Sequence, residues 1–182
     1  MLKIFLSAFL GAACAFAYER HKRLDDELKK RSISLREAQF AFGSRINSLL
    51  NVYNKYLKEH EKNPNRWVEL PPVLNIMDVP SIPLAELSFL LDNIEPNLLG
   101  KIVIEGNKFE MIRSIISTRN RVHDEFQRMF EQGVTSKRLQ PQLKDLTDSL
   151  YTLIPEALIS MRSIHGSIGE IMRKHFPKVN VA

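Results

Sequence analysis

A proline-free stretch of more than forty residues with a seven-residue apolar repeat constrains the fold of this chain most strongly. No proline occurs between Glu19 and Pro64, and the stretch is rich in Glu, Lys, Arg, Leu and Ala, which favour helix. An apolar residue at every seventh position lines one face of a helix, so the pattern predicts a helix that packs in a bundle or a coiled coil. The residues of this face are Leu28, Leu35, Phe42, Leu49 and Tyr56, with Ala38, Ile46 and Tyr53 in the intermediate turns.

Prolines predict an irregular connection after this helix. Asn63-Pro64-Asn65 should end it, because proline lacks the N–H donor and restricts the residue before it. Residues 66–83 contain four prolines and no helical period. The segment is too apolar for a free linker, so we expect residues 63–83 to form an ordered connection covering one end of the core. A partner-binding segment is the alternative. Its apolar residues include Trp67, Val68, Leu74, Ile76 and Met77.

Further helices are predicted downstream. Residues 81–83 introduce a short, almost wholly apolar helix that should be buried. A long amphipathic helix should begin at Glu95-Pro96 and run to about Gln132, before Gly133. Residues 135–136 introduce the last helix, in which the apolar period continues through Pro155 and predicts a kink. The predicted fold class is therefore all-α: an N-terminal transmembrane helix, then a bundle of three long amphipathic helices plus one short buried helix over residues 35–182.

The apolar run at residues 1–18 has three possible interpretations. An export signal would use Lys3 as its basic start and residues 15–17, Ala-Phe-Ala, as its cleavage site. A lipoprotein signal would use Cys14, but Gly11 stands where a leucine is required. A permanent anchor would be a helix of about 27 Å, which is short but sufficient for a hydrocarbon core of about 30 Å.

The charges that follow this run favour the permanent anchor. Residues 20–31 carry six Lys and Arg, whereas only Lys3 precedes the run, so the positive-inside rule places the body in the cytoplasm and the N-terminus outside. Residues 19–34 are expected to form a charged juxtamembrane stalk helix close to anionic headgroups. The side chains expected at the membrane interfaces are Lys3, Tyr18, Arg20, Lys22 and Arg23.

The sequence lacks the patterns of common catalytic and metal-binding sites. Its five histidines include no pair four residues apart and no Glu-x-x-His pair, and its single cysteine lies in the apolar run. No phosphate-binding loop, dinucleotide-binding turn or Gly-x-Ser-x-Gly elbow occurs. Because 26 Lys and Arg are interspersed with 21 Asp and Glu, the charges indicate solvated faces. We therefore expect no enzyme, no metal, no cofactor and no nucleic-acid partner.

One polar cluster interrupts an apolar stripe in the sequence STRNRVHDEF. Arg119 and His123 are four residues apart and would be neighbours on a helix, with Asp124 beside them. A buried guanidinium is expected to need a carboxylate partner. The cluster is either a polar layer that fixes the packing of the bundle or a site for an anionic ligand. The candidate carboxylates are Glu37, Asp145, Asp148 and Glu156.

Together these features predict a membrane-anchored helical bundle that acts by protein–protein association at the cytoplasmic face of a bacterial inner membrane. It would serve as a scaffold, sensor or regulatory subunit, with membrane lipids and either an unknown protein or a second copy as partners. One alternative is a periplasmic ligand-sensing bundle in which Pro155 relays the change. Others are a secreted protein cleaved near Ala17 and an enzyme that uses Arg119, His123 and Asp124.

Overall fold

The computed structural model describes residues 2–74, 78–92, 94–134 and 138–177, and within residues 2–8 it describes the backbone alone. The described residues form helices, turns and irregular segments, with no strand among them. The predicted all-α class and the helical bundle are confirmed. The α-helices are α1 (Leu2–Val52), α2 (Arg66–Glu69), α3 (Pro96–Glu131) and α4 (Leu139–His175). A π-helical turn, Tyr53–Leu57, and a 3-10 turn, Lys58–His60, continue α1, and a second 3-10 turn, Ser88–Leu91, precedes α3.

The three long helices α1, α3 and α4 build the bundle, and α4 runs antiparallel to both of the others. The Tyr151 hydroxyl of α4 donates to the Leu57 carbonyl at 2.8 Å, just beyond α1. Further along α4, the His165 carbonyl accepts from Gln39 Nε2 of α1 at 3.4 Å. The Ser160 hydroxyl donates to Glu105 Oε2 of α3 at 2.6 Å. Because both neighbours oppose α4, α1 and α3 run in the same direction.

Parallel α1 and α3 require a connection that returns along the whole bundle. The connecting segment spans residues 61–95, and its described parts, residues 61–74, 78–92 and 94–95, contact α3 at positions progressively closer to the start of that helix. The expectation that residues 63–83 cover one end of the core is therefore corrected; Ile76 and Met77 of that expectation lie outside the described residues. The contacts along the descent are Val73 with Asn120, Asp78 with Arg113, Ile82 with Gly106, and Phe89 with Phe176.

The seven-residue apolar face of α1 faces the core from Leu35 onward. Leu35, Phe42 and Leu49 are at most 1% exposed, whereas Leu28 is 44% exposed. Every side chain from residue 9 to residue 30 is exposed. A single unbroken helix therefore has one part inside the bundle and one part that projects from it. We define the projecting part as residues 9–30, and at about 1.5 Å per residue it is about 33 Å long.

The transmembrane helix and the single-pass membrane location predicted from residues 1–18 are not supported. Within the described part of the chain, no helix has an apolar stretch long enough to cross a membrane. The side chains of residues 1–8, including Lys3, lie outside the described residues. From Phe9 to Tyr18 the chain is an exposed part of α1, and the charged residues that begin at Glu19 end its apolar run.

The short buried helix predicted after Pro83 is smaller and less buried than expected. It is one 3-10 turn, Ser88–Leu91, in which Phe89 and Leu90 are buried. Leu84 and Leu91 are 42% and 56% exposed. The bundle covers only one side of this segment, so Phe89 and Leu90 are buried while Leu84 and Leu91 remain exposed to solvent.

The ends of α3 agree with the sequence prediction. Pro96 occupies the start of the helix, where a missing N–H costs no hydrogen bond. Gly133 follows the helix with φ of 71°, a left-handed conformation that favours glycine.

α4 begins at Leu139, and residues 135–137 lie outside the described residues. α4 continues through Pro155 without a break.

Two glycines of α3 offer a matched test of this packing. A Cβ at Gly106 would lie 3.3 Å from Arg45 Nη1 and 3.6 Å from Ile82 Cδ1, whereas a Cβ at Gly100 would meet nothing within 4 Å. We expect Gly106→Leu to lower the free energy of unfolding by about 1–3 kcal/mol through overpacking. Gly100→Leu should raise it by about 0.5–1 kcal/mol through helix propensity. Urea unfolding followed by circular dichroism measures both, and equal effects would contradict the close approach at Gly106.

Candidate functional site

The polar cluster predicted from the sequence is centred on a fully buried arginine in α3. Arg119 is 0% exposed, and each of its three guanidinium nitrogens donates to a protein acceptor. Nη1 donates to the Pro71 carbonyl at 2.9 Å. Nη2 donates to the carbonyls of Trp67, at 3.3 Å, and Leu70. Nε lies 3.4 Å from the Thr147 hydroxyl of α4.

The expectation of a carboxylate partner for Arg119 is wrong. Among the described residues its hydrogen bonds go to backbone carbonyls and one hydroxyl. Asp148, one of the candidates, instead accepts from Arg66 at 2.6 and 3.0 Å. Carbonyls can replace a carboxylate here because several of them converge on one guanidinium and satisfy its donors without a second buried charge.

The sequence Leu70-Pro71-Pro72 explains why these carbonyls are available. Within a helix, the carbonyls of Trp67 and Val68 would accept from the N–H groups four residues later, and those positions are Pro71 and Pro72. Proline has no N–H, so the last turn of α2 leaves both carbonyls without their usual donors. Arg119 supplies a donor to the Trp67 carbonyl. The Val68 backbone raises the pKa of His123 and so opposes part of the effect of burial.

Asn120 completes the attachment of the connecting segment to α3. Its side-chain amide donates to the Val73 carbonyl at 2.8 Å, and its side-chain oxygen accepts from the Val73 N–H at 3.0 Å. The side chain therefore pairs with the backbone much as a neighbouring strand would. The sequence analysis missed this residue, although its position directly after Arg119 in the polar interruption was a usable signal.

His123 is buried and Asp124 is not. The His123 side chain is 8% exposed, and its Nδ1 has no hydrogen-bond partner among the described residues. Burial, and then the charge of Arg119, lowers the pKa of His123 below its usual value. The Asp124 side chain is 55% exposed, with Oδ1 3.9 Å from His123 Nδ1. The structure thus brings Arg119 and His123 together under the connecting segment and leaves Asp124 at the surface.

The electrostatic state of Arg119 follows from the same burial. Desolvation lowers its pKa to about 10, so the guanidinium remains charged at neutral pH. Each nitrogen of the Arg119 guanidinium already donates to a protein acceptor, so the guanidinium is not arranged to bind an external anion. The arrangement can hold residues 67–73 against α3 and α4.

The predicted membrane-interface residues lie on the projecting part of α1. Tyr18, Arg20, Lys22 and Arg23 are exposed, and Arg23 pairs with Glu19 at 2.6 Å. Cys14 is also exposed. These residues are far from the Arg119 cluster, because residues 9–30 extend beyond the bundle and Arg119 is buried inside it.

A second buried arginine escaped the sequence analysis. Arg45 of α1 is 6% exposed and lies over the rings of Phe109, at 5.2 Å, and Phe42, at 6.0 Å. Its Nε and Nη1 have no hydrogen-bond partner among the described residues. Burial lowers its pKa, while the charge of Glu110 opposes that shift. Its position between Phe42 and Leu49 on the apolar face was the available signal.

Comparison with protein-family models, with curated proteins and with solved structures found no match to this chain. In the described ranges, no group of three His, Cys, Asp or Glu side chains is placed to hold a metal ion. The function is therefore inferred from the chain's own residues.

Removal of the buried guanidinium should unfold the protein more easily. Arg119→Met leaves the carbonyls of Trp67, Leu70 and Pro71 without this donor, and we expect a loss of about 2–5 kcal/mol in the free energy of unfolding. Arg121→Met, at an exposed position half a turn away, should change it by less than about 0.5 kcal/mol. Urea unfolding of the two variants measures the difference, and similar losses would argue against the role of Arg119 in holding the connecting segment.

The lowered pKa of His123 predicts a loss of stability in acid. As the pH falls below about 6.5, the unfolded state takes up a proton on His123 before the folded state does, so the free energy of unfolding decreases. His123→Gln should remove this contribution, whereas His175→Gln, at an exposed position, should keep it. Thermal unfolding between pH 5 and pH 8 measures the slopes. An unchanged slope in His123→Gln would contradict the assignment.

Proposed function

We propose that this protein acts by association rather than by catalysis, with its N-terminal segment anchoring the bundle in a membrane. The projecting part of α1 is the observation that carries the proposal. Phe9, Leu10 and Phe16 are 57–75% exposed on a helix that continues directly into the bundle. Apolar side chains clustered on an exposed element mark a protein or membrane contact, because water is a poor solvent for them.

The continuity of α1 gives the attachment a mechanical consequence. The helix runs from Leu2 to Val52 without an interruption, so the segment proposed to enter the membrane and the segment that lines the core belong to one helix. Residues 19–30 are exposed and carry both signs of charge, which suits a solvated stalk. Such a stalk would hold the bundle at a fixed distance from the lipid surface.

The charges around Tyr18 support a cytoplasmic body. Arg20, Lys22 and Arg23 are exposed immediately after the apolar run, where each cation near an anionic surface contributes about 1 kcal/mol. Tyr18 has the amphipathic ring favoured at the headgroup boundary. With Lys3 as the single cation before the run, the positive-inside rule favours an inner-membrane protein whose N-terminus lies outside.

The bundle itself would supply the protein-binding surface. Phe40 of α1, Phe130 of α3 and Ile159 of α4 are 67%, 72% and 72% exposed, and each is an apolar side chain that a protein partner could cover. We therefore propose a scaffold, sensor or regulatory subunit whose activity belongs to a complex. The competing function is ligand sensing in the periplasm, which requires the opposite topology.

Membrane binding can be tested with the full chain and vesicles that contain phosphatidylglycerol. We expect the wild-type chain to float with the vesicles and the double variant Leu10→Glu, Phe16→Glu to stay in the aqueous fraction, because two carboxylates in the apolar run oppose insertion. Phe130→Glu, which removes an equally exposed aromatic ring from α3, should float like the wild type. Equal flotation of all three would contradict anchoring through the N-terminal segment.

The topology is tested by expressing the full chain with C-terminal fusions in bacterial cells. A C-terminal phosphatase fusion active only outside the cytoplasm should be inactive, and a C-terminal fluorescent fusion that matures in the cytoplasm should be bright. The reverse result would overturn the cytoplasmic proposal in favour of the periplasmic alternative. In-membrane cross-linking would then identify the protein partner.

A further inference from the structure

The face that α1 buries in the bundle continues into the projecting part. In the bundle, positions alternately three and four residues apart carry Leu35, Ala38 and Phe42, which are 0% exposed. The same alternation extends back towards the N-terminus, where its side chains are exposed. Leu24 and Leu28, 51% and 44% exposed, are its members nearest the bundle. We call this continuation the exposed stripe, and its members are Leu10, Cys14, Ala17, His21, Leu24 and Leu28.

α4 stops covering this face of α1 at about Arg31. Phe176 directly follows α4, and its ring packs edge-on against the Phe89 ring with the centroids 6.4 Å apart. The Arg31 guanidinium lies 5.2 Å from the centre of the same Phe89 ring. The end of α4 therefore lies level with Arg31. Among the described residues, no helix covers α1 from residue 30 back to residue 9, so the exposed stripe has no partner helix there.

The spacing of the exposed stripe is typical of a coiled coil. Positions that alternate three and four residues apart over about three heptads favour pairing with another helix when they are mostly apolar. The stripe contains three such pairs of positions between Leu10 and Leu28. Leu24 and Leu28 would form the apolar layers next to the bundle. His21 is the polar member of the stripe, and a polar residue in such a layer favours one register over the others.

The charges beside the exposed stripe match a second copy of this chain. Arg20 directly precedes His21 and Asp25 directly follows Leu24, so the two charges flank the stripe on opposite edges and are five residues apart. In a parallel coiled coil, flanking residues with this separation face each other across the two helices. Two copies in register therefore place Arg20 of each chain opposite Asp25 of the other, which gives two ion pairs of opposite charge.

The large aromatic side chains of the projecting part lie away from the stripe. Phe9 and Phe16 are 75% and 69% exposed and are seven residues apart, on one side of the helix. At about 100° per residue, Phe16 is rotated about 200° from Cys14 and about 100° from Ala17. The aromatic rings can therefore contact lipid while the stripe contacts another helix. Membrane contact and helix pairing do not compete for the same side of α1.

We propose that the exposed stripe pairs with the same stripe of a second copy, in a parallel coiled coil in register. Leu24 and Leu28 pack against their counterparts next to the bundle, and the ion pairs between Arg20 and Asp25 fix the register. The parallel direction rests on the proposed function, because two copies anchored in one membrane by the same segment run the same way. The two bundles then lie side by side at the end of a two-helix stalk.

Position-specific cross-linking of the full chain in vesicles that contain phosphatidylglycerol tests the pairing. In a Cys14→Ser background, Leu24→Cys and Leu28→Cys should form disulfide-linked dimers on oxidation with copper phenanthroline, because a disulfide needs Cα atoms within about 7 Å. Asp26→Cys, at an exposed position on the other side of the helix, should give about tenfold less dimer. Circular dichroism of each variant checks that the bundle is folded.

A charge exchange tests the register, with the native Cys14 as the reporter. Arg20→Glu should lower the cross-linked fraction about threefold, because two exposed attractions become repulsions. The double variant Arg20→Glu, Asp25→Arg restores opposite charges and should recover the wild-type fraction. Lys22→Glu, an exposed change that does not flank the stripe, is the control and should match the wild type. A double variant that is no better than Arg20→Glu alone would contradict the register.

The outcomes separate helix pairing from membrane anchoring. Equal yields from Leu24→Cys, Leu28→Cys and Asp26→Cys would indicate random collisions and overturn the pairing. Cross-linking of Leu24→Cys with Leu28→Cys, but of neither variant with itself, would overturn the parallel register. A chain that floats with the vesicles but forms no dimer at either leucine position overturns the pairing and leaves the anchoring intact. A chain that does not float but cross-links specifically in solution keeps the pairing and overturns the anchoring.

Discussion

The interaction on which this architecture depends is the set of hydrogen bonds between the Arg119 guanidinium and the carbonyls around Leu70. Pro71 and Pro72 remove the N–H groups that would otherwise satisfy the last turn of α2. Arg119 of α3 supplies a donor to the Trp67 carbonyl in place of the missing Pro71 N–H. The Arg119 donors and the carbonyl acceptors of residues 67–71 lie roughly fifty residues apart in sequence. Each segment therefore supplies hydrogen-bond partners for buried polar groups of the other.

This attachment fixes the connecting segment to the side of a bundle of three long helices. α1 and α3 run parallel, so the chain must return from the end of one to the start of the other. Asn120 holds Val73 on α3, and Asp78 and Ile82 contact the same helix closer to its start. The segment keeps one surface of the bundle irregular.

α1 links the parts of the molecule to which we assign functions. Its projecting part presents apolar and basic side chains, and its middle lines the core through Leu35, Phe42 and Leu49. One helix therefore connects the proposed anchor with the core of the bundle. The π-helical turn Tyr53–Leu57 follows the regular helix.

The sequence by itself determined the helices, because periodicity, Pro96 and Gly133 are local signals that act within a few residues. It also singled out Arg119 and His123 as an interruption of an apolar stripe. Only the tertiary structure decided their partners, since the carbonyls of Trp67 and Leu70 become acceptors through a connection that brings distant segments together. The path of that connection follows from the parallel arrangement of α1 and α3, and burial of Arg45 follows from packing between elements. Those features depend on contacts between distant residues, and local sequence patterns do not specify them.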